Sequence, residues 1–168
     1  VNLYGKGHKM PKYNSSLEEF GLVDAAHAKE VANIFLRHPH VHRVEIFGSV
    51  VRNGSGNDLD LILITDEDRW LDFVEIAKSE IKALTQNNGQ ESVYNNPYLR
   101  RAIAVRVLGE GFSGLLVAAS RIVDVALLDI FVFAADWTDH LEVLQEALPH
   151  HDPDFMWHIA NDARVIAP

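Results

Sequence analysis

The fold turns on one stretch, Val44-Glu45-Ile46-Phe47-Gly48-Ser49-Val50-Val51-Arg52, continuing through Asn53-Gly54-Ser55-Gly56-Asn57 into Asp58-Leu59-Asp60-Leu61-Ile62-Leu63-Ile64-Thr65. Val44 to Phe47 is a β-branched and aromatic run that ends in glycine, and Leu59 to Thr65 is a second run rich in Leu and Ile, so two strands are predicted with a loop between them. The two-residue period of a strand puts the Asp58 and Asp60 side chains on one face and leaves Leu59 and Leu61 for the other. Two adjacent carboxylates repel unless a cation neutralises them, and hard oxygen donors suit Mg²⁺ completed by phosphate oxygens and water. Gly48-Ser49 sits where the first strand turns. Residues after it can open a helix whose free N–H groups face a phosphate, with the Ser49 hydroxyl adding a hydrogen bond. Arg52, one turn on, either meets that phosphate or stays in solvent.

Polarity separates this pair from other Asp-x-Asp motifs. Haloacid-dehalogenase-like phosphatases and many glycosyltransferases place the pair after a hydrophobic strand, whereas here Leu61-Ile62-Leu63-Ile64 follows it. A calcium loop needs further polar ligands and a glycine beyond Asp60, which the same apolar run does not supply. A third acid from a neighbouring strand would complete a two-metal site, with ions about 4 Å apart across an in-line displacement. Asp124 is the candidate. It lies in the most apolar run of the chain, Ile122 to Phe133, read as a strand in which Asp124 shares a face with Ala126 and Leu128. A buried carboxylate without a partner costs several kcal/mol, so such an acid asks for a role. The plain alternative for the first motif is a turn followed by solvated, capping aspartates.

Working outward, residues 1–15 carry Gly5, Gly7, Pro11, Asn14 and Ser15 without periodicity and read as a loose N-terminal arm. Residues 16–168 then form one domain. Ser16-Leu17-Glu18-Glu19 matches a capping box and predicts a helix ending near Pro39, with Gly21 weakening its first turn. Further helices are predicted from Trp70 to the polar stretch Gln86–Gln90, over Leu141 to Ala147, and from Asp154 to about Asp162. Between 90 and 110 two readings stay open. Pro97 after Asn96 suits a helix start, yet Ile103, Val105 and Val107 alternate like a strand. Helices interleave with strands, so the class is α/β (α+β) with a single mixed β-sheet flanked by helices.

The 168 residues, 48% of them apolar, suit one compact domain. Cysteine is absent, which excludes a disulfide framework, thiolate metal sites and a cysteine nucleophile. No apolar run reaches the roughly 18 residues of a membrane span and the first residues are polar, so a cytoplasmic protein without a membrane segment is expected. The 24 acidic against 15 basic residues give a formal charge of -9, which disfavours nucleic acid as a partner. Arg100, Arg101 and Arg106 are the one compact basic group and read as a solvated face.

Gly109-Glu110-Gly111-Phe112-Ser113-Gly114 fits G-x-G-x-x-G, with Asp129 twenty positions beyond Gly109 in the place of a ribose-binding acid. Dinucleotide binding is therefore a competing expectation, although little chain remains for the rest of such a domain. His38, His40 and His42 around Pro39, and His150-His151, read as solvated rather than metal-binding. Trp70, Trp137 and Trp157 read as packing in the core or against it, with base stacking by one of them as the alternative.

The stretch from Ile46 through Gly48-Ser49 to Asn57-Asp58-Leu59-Asp60-Leu61-Ile62 resembles the polymerase-beta-like nucleotidyltransferases, in particular the minimal stand-alone members and kanamycin nucleotidyltransferase. Val123-Asp124-Val125 resembles their third acidic element, and Phe155 to Ile166 is similar to their terminal helix and short strand. Only eight residues separate Ser49 from Asp58, a shorter loop than those members usually have, and Asn53-Gly54-Ser55-Gly56 can absorb the difference. The resemblance implies an enzyme that moves a nucleoside monophosphate from a triphosphate such as ATP to a hydroxyl, with Mg²⁺ as cofactor. It implies Asp58, Asp60 and Asp124 as metal-binding and catalytic residues and Gly48, Ser49 and Arg52 as the triphosphate cradle. The implied acceptor is a small molecule or a partner protein, as when a minimal nucleotidyltransferase modifies a paired helical toxin, and a homodimer is the expected assembly. A catalytically silent binding module with the same fold is the alternative from a different class.

Overall fold

The computed structural model describes residues 22–88, 96–148 and 150–168, and the N-terminal arm with its Ser16–Glu19 capping box lies outside them. Seven α-helices and six strands are present among the described residues. Strands β2 (Val41–Phe47), β4 (Leu59–Thr65), β5 (Leu128–Ala134) and β6 (Arg164–Ala167) form a mixed sheet in the order β5-β4-β2-β6. β2 runs antiparallel to both its neighbours, while β4 and β5 are parallel. Two-residue strands β1 (Val23–Asp24) and β3 (Ser55–Gly56) pair separately.

Burial follows composition along the strands. All but the second residue of β4 and of β5 are buried, as expected of parallel strands covered on both faces. That second residue is Asp60 in β4 and Asp129 in β5. Helix α1 (Ala25–Phe35) starts later than the capping box at Ser16 predicts, because Asp24 caps it. The Asp24 carboxylate accepts from the His27 amide at 2.9 Å, and the His27 ring accepts in turn from the Asp24 amide. Helix α2 (Ser49–Asn53) is a single short piece, and α3 (Glu67–Asn88) extends the helix predicted from Trp70 by three residues at its start.

The open segment is a helix, α4 (Pro97–Leu108), with Pro97 in the first turn and the Asn96 side chain accepting from the Leu99 amide. Ile103, Ala104, Val107 and Leu108 are its buried residues, so the three-and-four spacing decides and the alternation at 103, 105 and 107 is incidental. Gly109, at φ +84°, joins α4 to α5 (Glu110–Ala119). The glycine motif thus follows a helix and lacks the strand that a dinucleotide fingerprint requires. α3 and α4 pack on β5 and on each other, and α1 packs on α5 and β6. Helices α6 (Leu141–Ala147) and α7 (Phe155–Asp162) pack together near the C-terminal end.

One polar cluster is buried in this core. Glu45 on β2 accepts from the Trp137 indole N–H at 3.1 Å and from Arg43 at 2.8 Å. His38 is buried as well. Its Nε2–H donates to the Leu108 carbonyl at 2.8 Å and its Nδ1 accepts from the His40 amide, a tautomer fixed by structural bonds. His40 and His42 both contact Asp66, at 3.0 and 2.6 Å. No helix among the described residues is long and apolar enough to cross a membrane. Replacing Glu45 by Ala strands the buried indole N–H, while the Arg43 guanidinium, 34% exposed, keeps water, so urea denaturation should show a loss of about 1–3 kcal/mol.

Candidate active site

β2 and β4 are in register such that Phe47, the last residue of β2, stands opposite Asp60. The chain therefore has to turn away at residue 48 beside a carboxylate. Gly48 does so at φ +86°, a conformation open to glycine, and a Cβ there would lie well inside van der Waals contact distance of Asp60 Oδ2. α2 follows at once and closes on Gly54 at φ +81°, whose N–H returns to the Val50 carbonyl. This is how the short spacing between Ser49 and Asp58 is accommodated: four further helical residues, a left-handed glycine, the two residues of β3 and Asn57. The Ser49 hydroxyl fills the space that a Gly56 side chain would need.

Asp58 precedes β4 and is exposed, Leu59 is fully buried, and Asp60 is half-buried. The third carboxylate beside them is Asp129 and not Asp124. β4 and β5 pair in parallel with Leu59 opposite Leu128 and Asp60 opposite Asp129. Asp124 lies before β5, where its side chain accepts from the Ala126 amide at 2.9 Å and caps a 3₁₀ turn over Val125–Leu127. The apolar run from Ile122 is thus a turn followed by a strand, since a short acid beside a free amide favours local capping over strand pairing.

These elements line a cleft of about 400 Å³, with Phe47, Gly48, Ser49, Arg52, Asp58, Asp60, Arg100 and Asp129 on its walls. Its other wall comes from α7 and the turn before it. There the His150 ring stacks on Phe155 at 3.8 Å, and the His158 Nδ1 meets the Asp152 carboxylate. Phe155 also packs against Phe47, which ties this wall to the sheet. Arg52 bonds Asp162 across the cleft at 2.6 Å. Arg100, from α4, engages both oxygens of Asp129, at 2.6 and 2.9 Å.

The charge balance of the cleft is negative. Asp58, Asp60, Asp129, Asp152 and Asp162 face two arginines, each already paired with an acid. Burial and then the neighbouring Asp129 and Asp58 push Asp60 up to about 8, against the weaker opposing pull of Arg100 and Arg52. Asp58 is raised too, by desolvation first and Asp129 second. Such a cluster calls for a cation, and Asp58 and Asp60 supply the hard oxygen donors that suit Mg²⁺. No three acids or histidines among the described residues are grouped so as to hold a metal ion, and Arg100 holds both Asp129 oxygens.

The sequence motif singled out Gly48, Ser49, Arg52, Asp58 and Asp60, and the fold brings all five to the cleft. Asp129 and Arg100, which the sequence suggests for a ribose and for a solvated face, join them there. A signal for Asp129 was present: Leu128-Asp129 followed by Ile130 to Phe133 repeats the pattern of Leu59-Asp60 followed by Leu61 to Ile64. No sequence pattern marks Asp152, His158 or Asp162 as neighbours of the motif. No family model, curated protein or solved structure matches the chain, so the geometry of the cleft carries the functional reading.

Asp60 is protonated more readily in the folded than in the unfolded chain, so its contribution to stability is present below about pH 4 and is lost as pH rises towards 8. Asp60→Asn removes that loss. In metal-free buffer it should melt about 3–6 °C above the wild type at pH 8, and the gap should close by pH 4; an equal gap at both pH values would contradict the raised Asp60.

Proposed function

We propose that the protein is a Mg²⁺-dependent nucleotidyltransferase that transfers a nucleoside monophosphate from a triphosphate to a hydroxyl acceptor. The observation that carries the reading is the convergence of Asp58, Asp60 and Asp129 on one cleft beside the Gly48 turn. A triphosphate brings about four negative charges at neutral pH, and a cleft whose acids outnumber its two paired arginines would repel it without divalent cations. Magnesium, when bound, supplies the positive charge that stabilises the oxygens of the reacting phosphoryl groups.

The protein's own residues divide the remaining work. Asp58 and Asp60 hold the metal, and Asp129 takes the place that the sequence suggested for Asp124. The bare backbone of Gly48 lets phosphate oxygens approach the sheet edge, the Ser49 hydroxyl is a hydrogen-bond donor beside it, and Arg52 supplies a cation. The acceptor oxygen attacks the α-phosphorus as the bond to the β-phosphate oxygen breaks; pyrophosphate leaves, and the hydroxyl proton passes to the Asp129 carboxylate. The chemistry of the far wall, with Asp152 and His158 beside Asp162, suits an acceptor that carries amines or hydroxyls, on a small molecule or a protein. A second copy of the chain or a helical partner would supply the rest of the acceptor surface.

One observation favours a second reading. Asp129 is fully engaged by Arg100, and an arginine in permanent possession of the third acid describes a nucleotidyltransferase fold that binds a partner without turnover. Calorimetry decides between them. Asp58→Asn, Asp60→Asn and Asp129→Asn should each weaken Mg²⁺-dependent ATP or GTP binding by about tenfold or more, while Asp124→Asn, which keeps its cap, should leave it unchanged. Absence of any metal-dependent triphosphate binding by the wild type would favour the silent module.

A further inference from the structure

Arg100 and Asp129 form the most enclosed ion pair of the cleft, each side chain 15% exposed. The contact is a two-pronged one, Nε to Oδ1 and a terminal nitrogen to Oδ2, and the guanidinium also lies over the Phe131 ring, 5.1 Å from its centroid. Arg52, by contrast, meets Asp162 with a side chain 56% exposed. The neighbour of Arg100 has a separate task. Arg101 donates to the Leu128 carbonyl at 2.6 Å and so fastens the start of α4 to the start of β5. Arg100 can therefore change partner without loosening the helix from the strand.

We propose that Arg100 is a polyphosphate-binding side chain held in reserve on Asp129: a divalent cation at Asp58, Asp60 and Asp129 displaces the guanidinium, which then grips a phosphate oxygen in the same cleft. The proposal rests on the nucleotidyltransferase reading above. A planar guanidinium matches a phosphate as well as a carboxylate, so the exchange replaces one two-pronged contact by another. A dication outcompetes it at Asp129 because it carries twice the charge and meets carboxylates from both strands at once. The released arginine is then left beside the incoming anion, with its aromatic platform on Phe131 still in place. Metal and polyphosphate thus load together. Without the metal, Arg100 is occupied and the cleft repels the anion; without the anion, the metal has to evict an arginine that gains no new partner.

The signature is a pair of opposite effects from one substitution. Calorimetric titration of the full chain with magnesium chloride alone, and then with inorganic tripolyphosphate in the presence of magnesium, reads both without knowledge of the base. Arg100→Gln should bind Mg²⁺ alone about tenfold tighter than the wild type and magnesium tripolyphosphate about tenfold more weakly. Weakening of both, or a change in neither, would overturn the exchange. A second measurement uses the wild type only: saturating Mg²⁺ should speed solvent exchange of the Arg100 Nε–H, seen by NMR, by about tenfold or more, and unchanged protection refutes the displacement. Failure of the wild type to bind either probe in a manner sensitive to Asp58→Asn and Asp60→Asn removes the nucleotidyltransferase reading itself. Normal wild-type binding with no split in Arg100→Gln removes the exchange alone.

Discussion

The pairing of β4 with β5 places Asp60 directly across from Asp129, and most of what is unusual in this molecule follows from that register. Parallel strands covered on both faces are almost wholly apolar, so two acids at equivalent positions meet only if something holds them there. Here the apolar residues after each acid pair along both strands, from Leu61 with Ile130 to Ile64 with Phe133, and carry the register in which the acids are opposite. The core therefore forces the carboxylates together, and burial first, with the repulsion of Asp129 and Asp58 second, raises Asp60.

The surroundings act as compensation for that conflict. Arg100 neutralises Asp129 from α4, Arg52 pairs with Asp162 from α2, and Gly48 removes the side chain that would collide with Asp60. Each belongs to a different segment, so the cleft is complete only when the sheet, the short helix after β2, α4 and the C-terminal helix are all docked. A site of this kind is unstable by itself and is carried by the stability of the domain. Its excess of negative charge is the physical basis for expecting a cation, and its bound arginines are the basis for expecting that the cation and an anionic ligand arrive together.

Elsewhere the structure uses its polar residues to fasten elements. Glu45 joins β2 to the turn after β5 through Trp137, His38 fixes the end of α4, and Arg101 ties α4 to the sheet. The histidine-rich segment around Pro39 belongs to this group. His40 and His42 both close on Asp66, which joins the start of β2 to the end of β4.

How much of this was legible beforehand depended on the range of the interaction involved. Strands flanking Gly48-Ser49, the orientation of Asp58 and Asp60 before their apolar run, and the helices over Leu141–Ala147 and Phe155–Asp162 are written in local spacing, because strand and helix periods and turn-forming glycines act over a few residues. The helical state of Pro97–Leu108 was less plain, since its buried pairs Ile103-Ala104 and Val107-Leu108 contain an accidental alternation. The sequence points to Asp124 as the third acid because an apolar run hides its own interruption, and only the 3₁₀ turn at Val125–Leu127 shows where the strand begins. Asp129 opposite Asp60, Arg100 on Asp129, and Asp162 on Arg52 are contacts between residues 29 to 110 positions apart, or between strands whose register only the packed sheet defines. The sequence by itself determined the motif and the type of chemistry its carboxylates can support; tertiary structure alone decided which acid stands third and which arginine guards it, because partners so distant in the chain are chosen by packing and not by local pattern.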